Sequence, residues 1–181
     1  MSHAPAKQKK PTTAASPSSD SVSSTDWRAA MGSFVAGVTI VTCADEDGIY
    51  GTTVSAFSSV SMDPPLLLVC MDTKSRTCSR IEKSKKFAIN MLAEDQKDLA
   101  YQFASSKIEH QYDGVPYELG QGGAPLLAGA TCHIECTLTD SVTTGDHQIL
   151  IGAPTNLKIL SHLEPLVYVH GGFHGLGEKM S

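Results

Sequence analysis

Residues 38–57 read VTIVTCADEDGIYGTTVSAF, two runs of strand-forming residues around an acidic turn. Val38 to Thr42 is an apolar run rich in β-branched side chains, which fit a pleated, buried strand. Asp45-Glu46-Asp47-Gly48 is turn chemistry, and Ile49 to Phe57 is a second strand-like run. The segment therefore reads as a β-hairpin.

Upstream of the hairpin, Asp26 is a good N-cap, and Trp27, Ala30, Met31, Phe34 and Val35 follow at helical spacing. Gly37 reads as the end of that helix. Residues 1 to about 25 are Ser, Thr, Ala, Pro and Lys with almost no large apolar side chain, too little to offset their ordering entropy. A disordered tail is expected there, followed by a single domain over residues 26–178. Downstream, Leu66 to Met71 reads as a buried strand whose start is fixed by Pro64 and Pro65. Ser75 to Ser84 reads as a short helix, and Phe87 to Leu92 as a strand with Phe87, Ile89 and Met91 on one face. Glu94 to Ala104 is a helix packing through Leu99 and Phe103. The Gly- and Pro-rich segment 105–129 is loop, and three strands follow near Thr131–Val142, His147–Leu160 and Leu166–His170. Many antiparallel strands with two or three helices imply a mainly β barrel rather than a doubly wound sheet.

Composition narrows the function. A chain of 181 residues fits one domain, and 41% hydrophobic with 18% charged residues is ordinary for a globular protein. The formal charge of -5 argues against nucleic acid or an anionic membrane as partner, since both call for a basic patch. Leu66 to Met71, the longest apolar stretch, is far short of a membrane span, and Met1 to Ser24 lacks the apolar segment of a secretory signal. Five cysteines without dense spacing read as reduced thiols in the cytoplasm.

Several familiar signatures are missing. No Gly-x-Gly-x-x-Gly opens a βαβ unit, there is no phosphate-binding Gly-x-x-x-x-Gly-Lys-Ser/Thr loop, and no Gly-x-Ser-x-Gly elbow. Cys132-His133-Ile134-Glu135-Cys136 invites a metal reading. The segment alternates like a strand, however, and residues four apart on a strand lie roughly 13 Å apart. Two such thiolates cannot share a zinc with bonds of about 2.3 Å, so core cysteines are the better reading. His162, His170 and His174 lack ligand spacing and read as solvated or hydrogen-bonded imidazoles.

Three stretches carry chemistry. Ile49 to Phe57 concentrates small hydroxyl residues beside Gly51, where main chain can approach a flat ring and donate hydrogen bonds to it. Taken alone, it also reads as a Thr/Ser-rich edge strand. Asp72-Thr73-Lys74-Ser75-Arg76-Thr77-Cys78-Ser79-Arg80 opens a helix with free amides, hydroxyls and cations, a combination suited to phosphate. Its plain alternative is a capped surface helix. Gly145-Asp146-His147 sets a histidine at the start of a strand, where its plain alternative is a surface residue; neighbours on an extended chain point to opposite faces, so Asp146 and His147 are not automatically a dyad.

The order of these segments adds information. Met31 to Thr42, then Thr53 to Leu66, then Gly145-Asp146-His147 resembles the short-chain flavin reductases, the reductase components of two-component flavin-dependent monooxygenases. The resemblance runs from about Asp26 to Gly177. It implies an antiparallel, Greek-key-like FMN-binding split barrel with a few short helices, and a homodimer with the flavin near the subunit interface. By the same resemblance Thr52, Thr53, Val54, Ser55 and Ala56 line the isoalloxazine and ribityl chain. Met71, Asp72, Ser75, Arg76 and Thr77 lie near the ribityl phosphate, and Gln102 and Phe103 touch the flavin from a helix end. His147 lies at the nicotinamide site and Phe173 falls in a tail that closes the pocket.

The implied reaction is hydride transfer from NADH or NADPH to non-covalently bound FMN or FAD, with reduced flavin passed to a partner monooxygenase. Catalysis of this kind is positioning of two stacked rings roughly 3–3.5 Å apart, which explains why no protein nucleophile stands out. Two rival readings share the fold: a non-catalytic flavin-binding or storage protein, and a pyridoxamine-phosphate-oxidase-like enzyme.

Overall fold

The computed structural model describes residues 22–105, 110–160 and 163–178; most of the expected tail and the imidazole of His162 lie outside the described residues. The first helix, α1 (Ser24–Gly32), starts earlier than an Asp26 cap implies. Ser23 is the cap: its Oγ accepts from the Asp26 N–H at 3.0 Å and donates to Asp26 Oδ2 at 2.7 Å. Asp26 is thus the third helical residue, where a carboxylate favours the positive end of the helix dipole. The helix stops at Gly32, and Ala36–Gly37 forms a short strand, β1, so Gly37 does not end the helix.

The hairpin read from residues 38–57 forms as β2 (Thr39–Asp45) and β3 (Gly48–Val54), with Thr39 opposite Val54 and Asp45 opposite Gly48. Its second strand is shorter than expected. After Val54 the Phe57 N–H turns back onto Ser55 O, and a separate strand, β4 (Phe57–Met62), follows. β5 (Pro65–Asp72) begins at the anticipated proline. Next come α2 (Arg76–Ser84), β6 (Lys86–Met91), a 3-10 turn at Glu94–Gln96, and α3 (Lys97–Ala104). The segment read as plain loop contains a small hairpin, β7 (Tyr117–Leu119) and β8 (Pro125–Leu127). Two long strands, β9 (Cys132–Thr144) and β10 (His147–Ile159), precede β11 (Val167–Val169) and β12 (Gly172–His174).

Seven strands make the main antiparallel sheet in the order β3-β2-β6-β9-β10-β5-β4. β3 and β4 are its two ends, yet only Ser55 and Ala56 separate them in the chain. A two-residue link cannot span an open seven-stranded sheet at about 4.8 Å per strand, so the sheet curls until its ends meet. The Cys70 N–H bonds Ala56 O at 2.9 Å at that seam. Inside the barrel lie Val41, Val54, Val69, Phe87, Ile89 and Leu150. Val38 and Ile40, on the opposite face of the same region, pack with Phe103 of α3, Leu92, Leu127 and Leu166 in a second cluster. β2 is therefore covered on both sides, which is why it reads as a continuous apolar run.

A buried amide holds the small hairpin in place. Asn90, fully buried, accepts from the Leu127 N–H at 2.8 Å, while Thr42 Oγ1 donates to Pro125 O at 2.6 Å. Cys136 is a core residue, and burial pushes its thiol up to about 12. Among the described residues no helix is long and apolar enough to cross a membrane.

Candidate active site

Three cavities share walls and form one groove across the seam of the barrel. The first, about 270 Å³, is lined by Thr52, Thr53, Val54, Ser55, Ala56, Cys70, Met71, Asp72, Ser75 and His147. The central one, about 410 Å³, shares Thr52, Asp72 and Ser75 with it and adds Tyr50, Gly51, Lys74, Arg76, Thr77, Phe103, Ala104 and Gln111. A third, about 220 Å³, shares Tyr50, Arg76 and Gln111 with the centre and continues to Ile49, His110, Tyr112 and Asp113. The groove thus runs from His147, past the start of α2, to the loop at His110–Asp113.

The seam explains the donors of the first cavity. Ser55 and Ala56 belong to neither strand, are exposed, and their N–H groups meet no acceptor among the described residues. The Thr53 hydroxyl is taken, donating to Ala100 O at 2.7 Å and fastening α3 to β3. Gly51 has a different reason from the one its neighbours suggest. A Cβ there would stand 2.6 Å from the Phe103 ring and 3.0 Å from the Tyr112 hydroxyl, so the missing side chain makes room for the aromatic wall of the central cavity.

His147 is fixed by the turn that begins its strand. Gly145 adopts a φ of 62°, a conformation that favours glycine. Asp146 O accepts from both the N–H and the hydroxyl of Thr73, at 3.0 and 3.1 Å, which ties this turn to the one after β5. Because Asp146 sits in the turn rather than on the strand, alternation does not separate it from its neighbour. Its Oδ1 lies 2.8 Å from His147 Nδ1, so the expectation that the two side chains diverge is corrected. The bond from His147, then the imidazole's charge, holds the Asp146 carboxyl below its usual range. An ionised Asp146 makes Nδ1 the donor and leaves Nε2 without a partner among the described residues.

The phosphate-suited stretch sorts its cations. Arg80 turns away from the groove: its guanidinium bonds Asp45 and Asp47 and lies 4.8 Å from the centre of the Tyr50 ring. It clamps α2 to the β2–β3 turn. Lys74 and Arg76 line the central cavity and form no ion pair among the described residues. Ser75 caps α2, its Oγ accepting from the Cys78 N–H, and presents the helix N-terminus beside them.

Of the residues singled out in the sequence, Thr52 to Ala56, Met71, Asp72, Ser75, Arg76, Thr77, Phe103 and His147 all line the first two cavities. Gln102 lines none of the three; its amide donates to Gln111 O at 2.8 Å and Asp113 O at 3.3 Å and so builds the wall of the third. Phe173 lies apart, edge-on to Tyr101 at 4.8 Å and packed near Tyr168. Cys70, Ala104 and Gln111 line the groove without having been singled out, because their types carry no ligand signal. Free amides and hydroxyls at one end, with unpaired cations and a helix N-terminus at the centre, fit a planar ring carrying a phosphorylated tail.

Comparisons with known proteins identify the family. Residues 31–177 match the model of the flavin reductase like domain. An NADH-dependent flavin reductase from Rhodococcus sp. is 40% identical over 152 residues, covering 82% of this chain and 84% of that one. A probable flavin reductase from Rhizobium meliloti is 41% identical over 81% of this chain, which spans only 47% of the relative. The crystal structure of nitrilotriacetate monooxygenase component B from Mycobacterium thermoresistibile superposes with a TM-score of 0.82 at 30% identity, covering 87% of this chain and 90% of that one. Sequence match and split-barrel topology agree, and this chain belongs to the flavin reductase like family.

Proposed function

We propose that this protein is an NAD(P)H:flavin oxidoreductase that supplies reduced flavin to a partner monooxygenase. The observation that carries the reading is the groove itself, with an Asp146-held imidazole at one end and Lys74, Arg76 and the α2 N-terminus at its centre. A flavin nucleotide, when bound, supplies the hydride-accepting chemistry. The protein's part is placement. Ser55 and Ala56 offer backbone donors to the ring edge, Thr52 and Ser55 offer hydroxyls, and Arg76 and Lys74 offer positive charge to the phosphate. His147 orients the nicotinamide, and Asp146 keeps the imidazole in one tautomer and rotamer.

The names of the relatives support the assignment: one is an NADH-dependent flavin reductase, and another is component B of a nitrilotriacetate monooxygenase. A homodimer is part of the same reading. No residue of α1 is buried within one chain, and Trp27, Met31, Phe34 and Val35 are large exposed hydrophobics at and beyond that helix. An apolar face of this kind is usually covered by a partner. All five cysteines are free, which fits the reducing cytoplasm.

The test is NADH and NADPH oxidation, each measured with added FMN, FAD and riboflavin. Flavin-dependent oxidation is expected. Tight flavin binding with no oxidation of either nucleotide would instead establish the storage reading.

A further inference from the structure

Residues 142–147, the tip of the hairpin formed by β9 and β10, are all exposed, and His147 is the last of them. Past Thr137 no strand but β10 pairs with β9 among the described residues, and on the other side of β10 the ladder to β5 ends with His147 opposite Asp72. So open a tip has little local stability of its own. Two tethers join it to the segment that carries the phosphate-suited groups. One is Thr73, in the turn before α2, which bonds Asp146 O. The other is Glu82 of α2, whose Oε1 accepts from Gln148 Nε2 of β10 at 2.6 Å and from the Ser141 hydroxyl of β9 at 3.4 Å. The buried Cys78 thiol donates to Gln148 Oε1 at 3.3 Å, so the side chain that follows His147 is held by α2 through both its amide atoms. Ser75, the cap, Cys78 and Glu82 are spaced three and four apart and share one face of the helix. That face presents the capped N-terminus to the groove and, about 10 Å further on at about 1.5 Å per residue, the grip on the hairpin. The helix itself is fixed by Arg80, which bonds Asp45 and Asp47.

We propose that Glu82 is a positioning residue for hydride transfer: it fixes the β9–β10 hairpin, and with it His147, against the helix whose N-terminus receives the flavin phosphate. The assignment rests on the flavin reductase reading and adds a residue that lines none of the three cavities. Glu82 makes α2 a spacer of set length between the phosphate and the imidazole. A flavin held at Ser75 and Arg76 then meets a nicotinamide site that is already aligned. Misplacing the reacting atoms by about 1 Å costs up to about a hundredfold in rate, so a tether one residue from His147 has leverage on the reaction.

Anaerobic hydride-transfer rates and flavin dissociation constants are measured on the full-length wild type, on Glu82→Ala and Glu82→Gln, and on His147→Ala alone and combined with Glu82→Ala. Glu82→Ala is expected to slow transfer about three- to tenfold while flavin affinity holds, since a residue acting through His147 cannot cost more than His147 itself. Glu82→Gln keeps an oxygen that accepts from Gln148 and Ser141, and should retain most of the wild-type rate. In the His147→Ala background, Glu82→Ala should add less than about twofold. A wild-type rate in Glu82→Ala overturns the proposal and leaves the reductase reading intact. A loss of the same size with and without His147 also overturns it, because Glu82 then serves the fold alone. Should Glu82→Ala fail to fold, Gln148→Met removes the same bond from the hairpin side and takes its place with the same expectations. A wild type that oxidises neither NADH nor NADPH overturns the reductase reading and this inference with it.

Discussion

At the scale of single residues, Arg76 and His147 divide binding from chemistry. Arg76 is exposed, so its bond to a phosphate belongs at the low end of the charge-assisted range, about 1.4 kcal/mol or tenfold in affinity. Arg76→Ala should weaken FMN and FAD by about that factor and leave riboflavin, which has no phosphate, nearly unchanged. Titration of all three flavins checks this, and equal weakening of the three would move the phosphate site elsewhere. His147→Ala should slow hydride transfer by about tenfold or more, at least ~1.4 kcal/mol of positioning, while flavin affinity holds. A plain surface histidine predicts almost no change in either quantity, so anaerobic transfer rates at wild-type level would remove its assigned role. Most lining residues were legible because hydroxyls beside a glycine, and cations at a helix start, announce the chemistry they suit. The Asp146–His147 contact is not legible, since strand alternation does not govern a residue that the Gly145 turn keeps off the strand. Nor did the sequence distinguish Arg80 from Arg76. Only the fold brings Asp45, at the end of β2, and Asp47, in the turn after it, to Arg80.

At the scale of elements, glycines record where the barrel is tightest. A Cβ at Gly152 of β10 would stand 2.5 Å from the Phe87 ring and 3.1 Å from Cys136 Cβ. Phe87 is fully enclosed and has no direction in which to yield. Gly152→Ala should cost about 1–3 kcal/mol by overpacking, a drop of several degrees in Tm at roughly 2–4 °C per kcal/mol for a domain this size. Thermal unfolding measures it, and an unchanged Tm would mean that the interior is looser than these contacts imply. β2, β5, β6, α2 and the start of β10 were readable because each carries a strong apolar pattern or a proline or serine at its boundary. The split into β3 and β4 left no mark, as Thr, Val, Ser and Ala suit one long strand equally well. The β7–β8 hairpin leaves no sequence mark for another reason. Three-residue strands have no period to detect, and their anchor is the distant Asn90 amide rather than any local signal.

For the whole molecule, closure follows from topology: two residues joining the ends of a seven-stranded sheet force a barrel, and the Ser55–Ala56 seam lines one cavity with His147. The barrel class was legible from the count of strands, but the closure was not, because β4 was hidden within the preceding run. Residues 1–21 carry no large apolar anchor, so their removal should leave flavin reduction and Tm intact provided Ser23, the cap of α1, is kept. A truncated protein that loses its cooperative transition would show that the tail belongs to the fold. If this groove brings a nicotinamide to a bound flavin, anaerobic stopped-flow will see the hydride pass. Protein holding FMN or FAD is mixed with NADH, and separately with NADPH, while flavin absorbance is followed. The expected result is loss of the oxidised flavin spectrum, far faster than for free flavin, at a rate that rises and saturates with one of the two nucleotides. A flavin that stays bound and oxidised in excess NADH and in excess NADPH would contradict it.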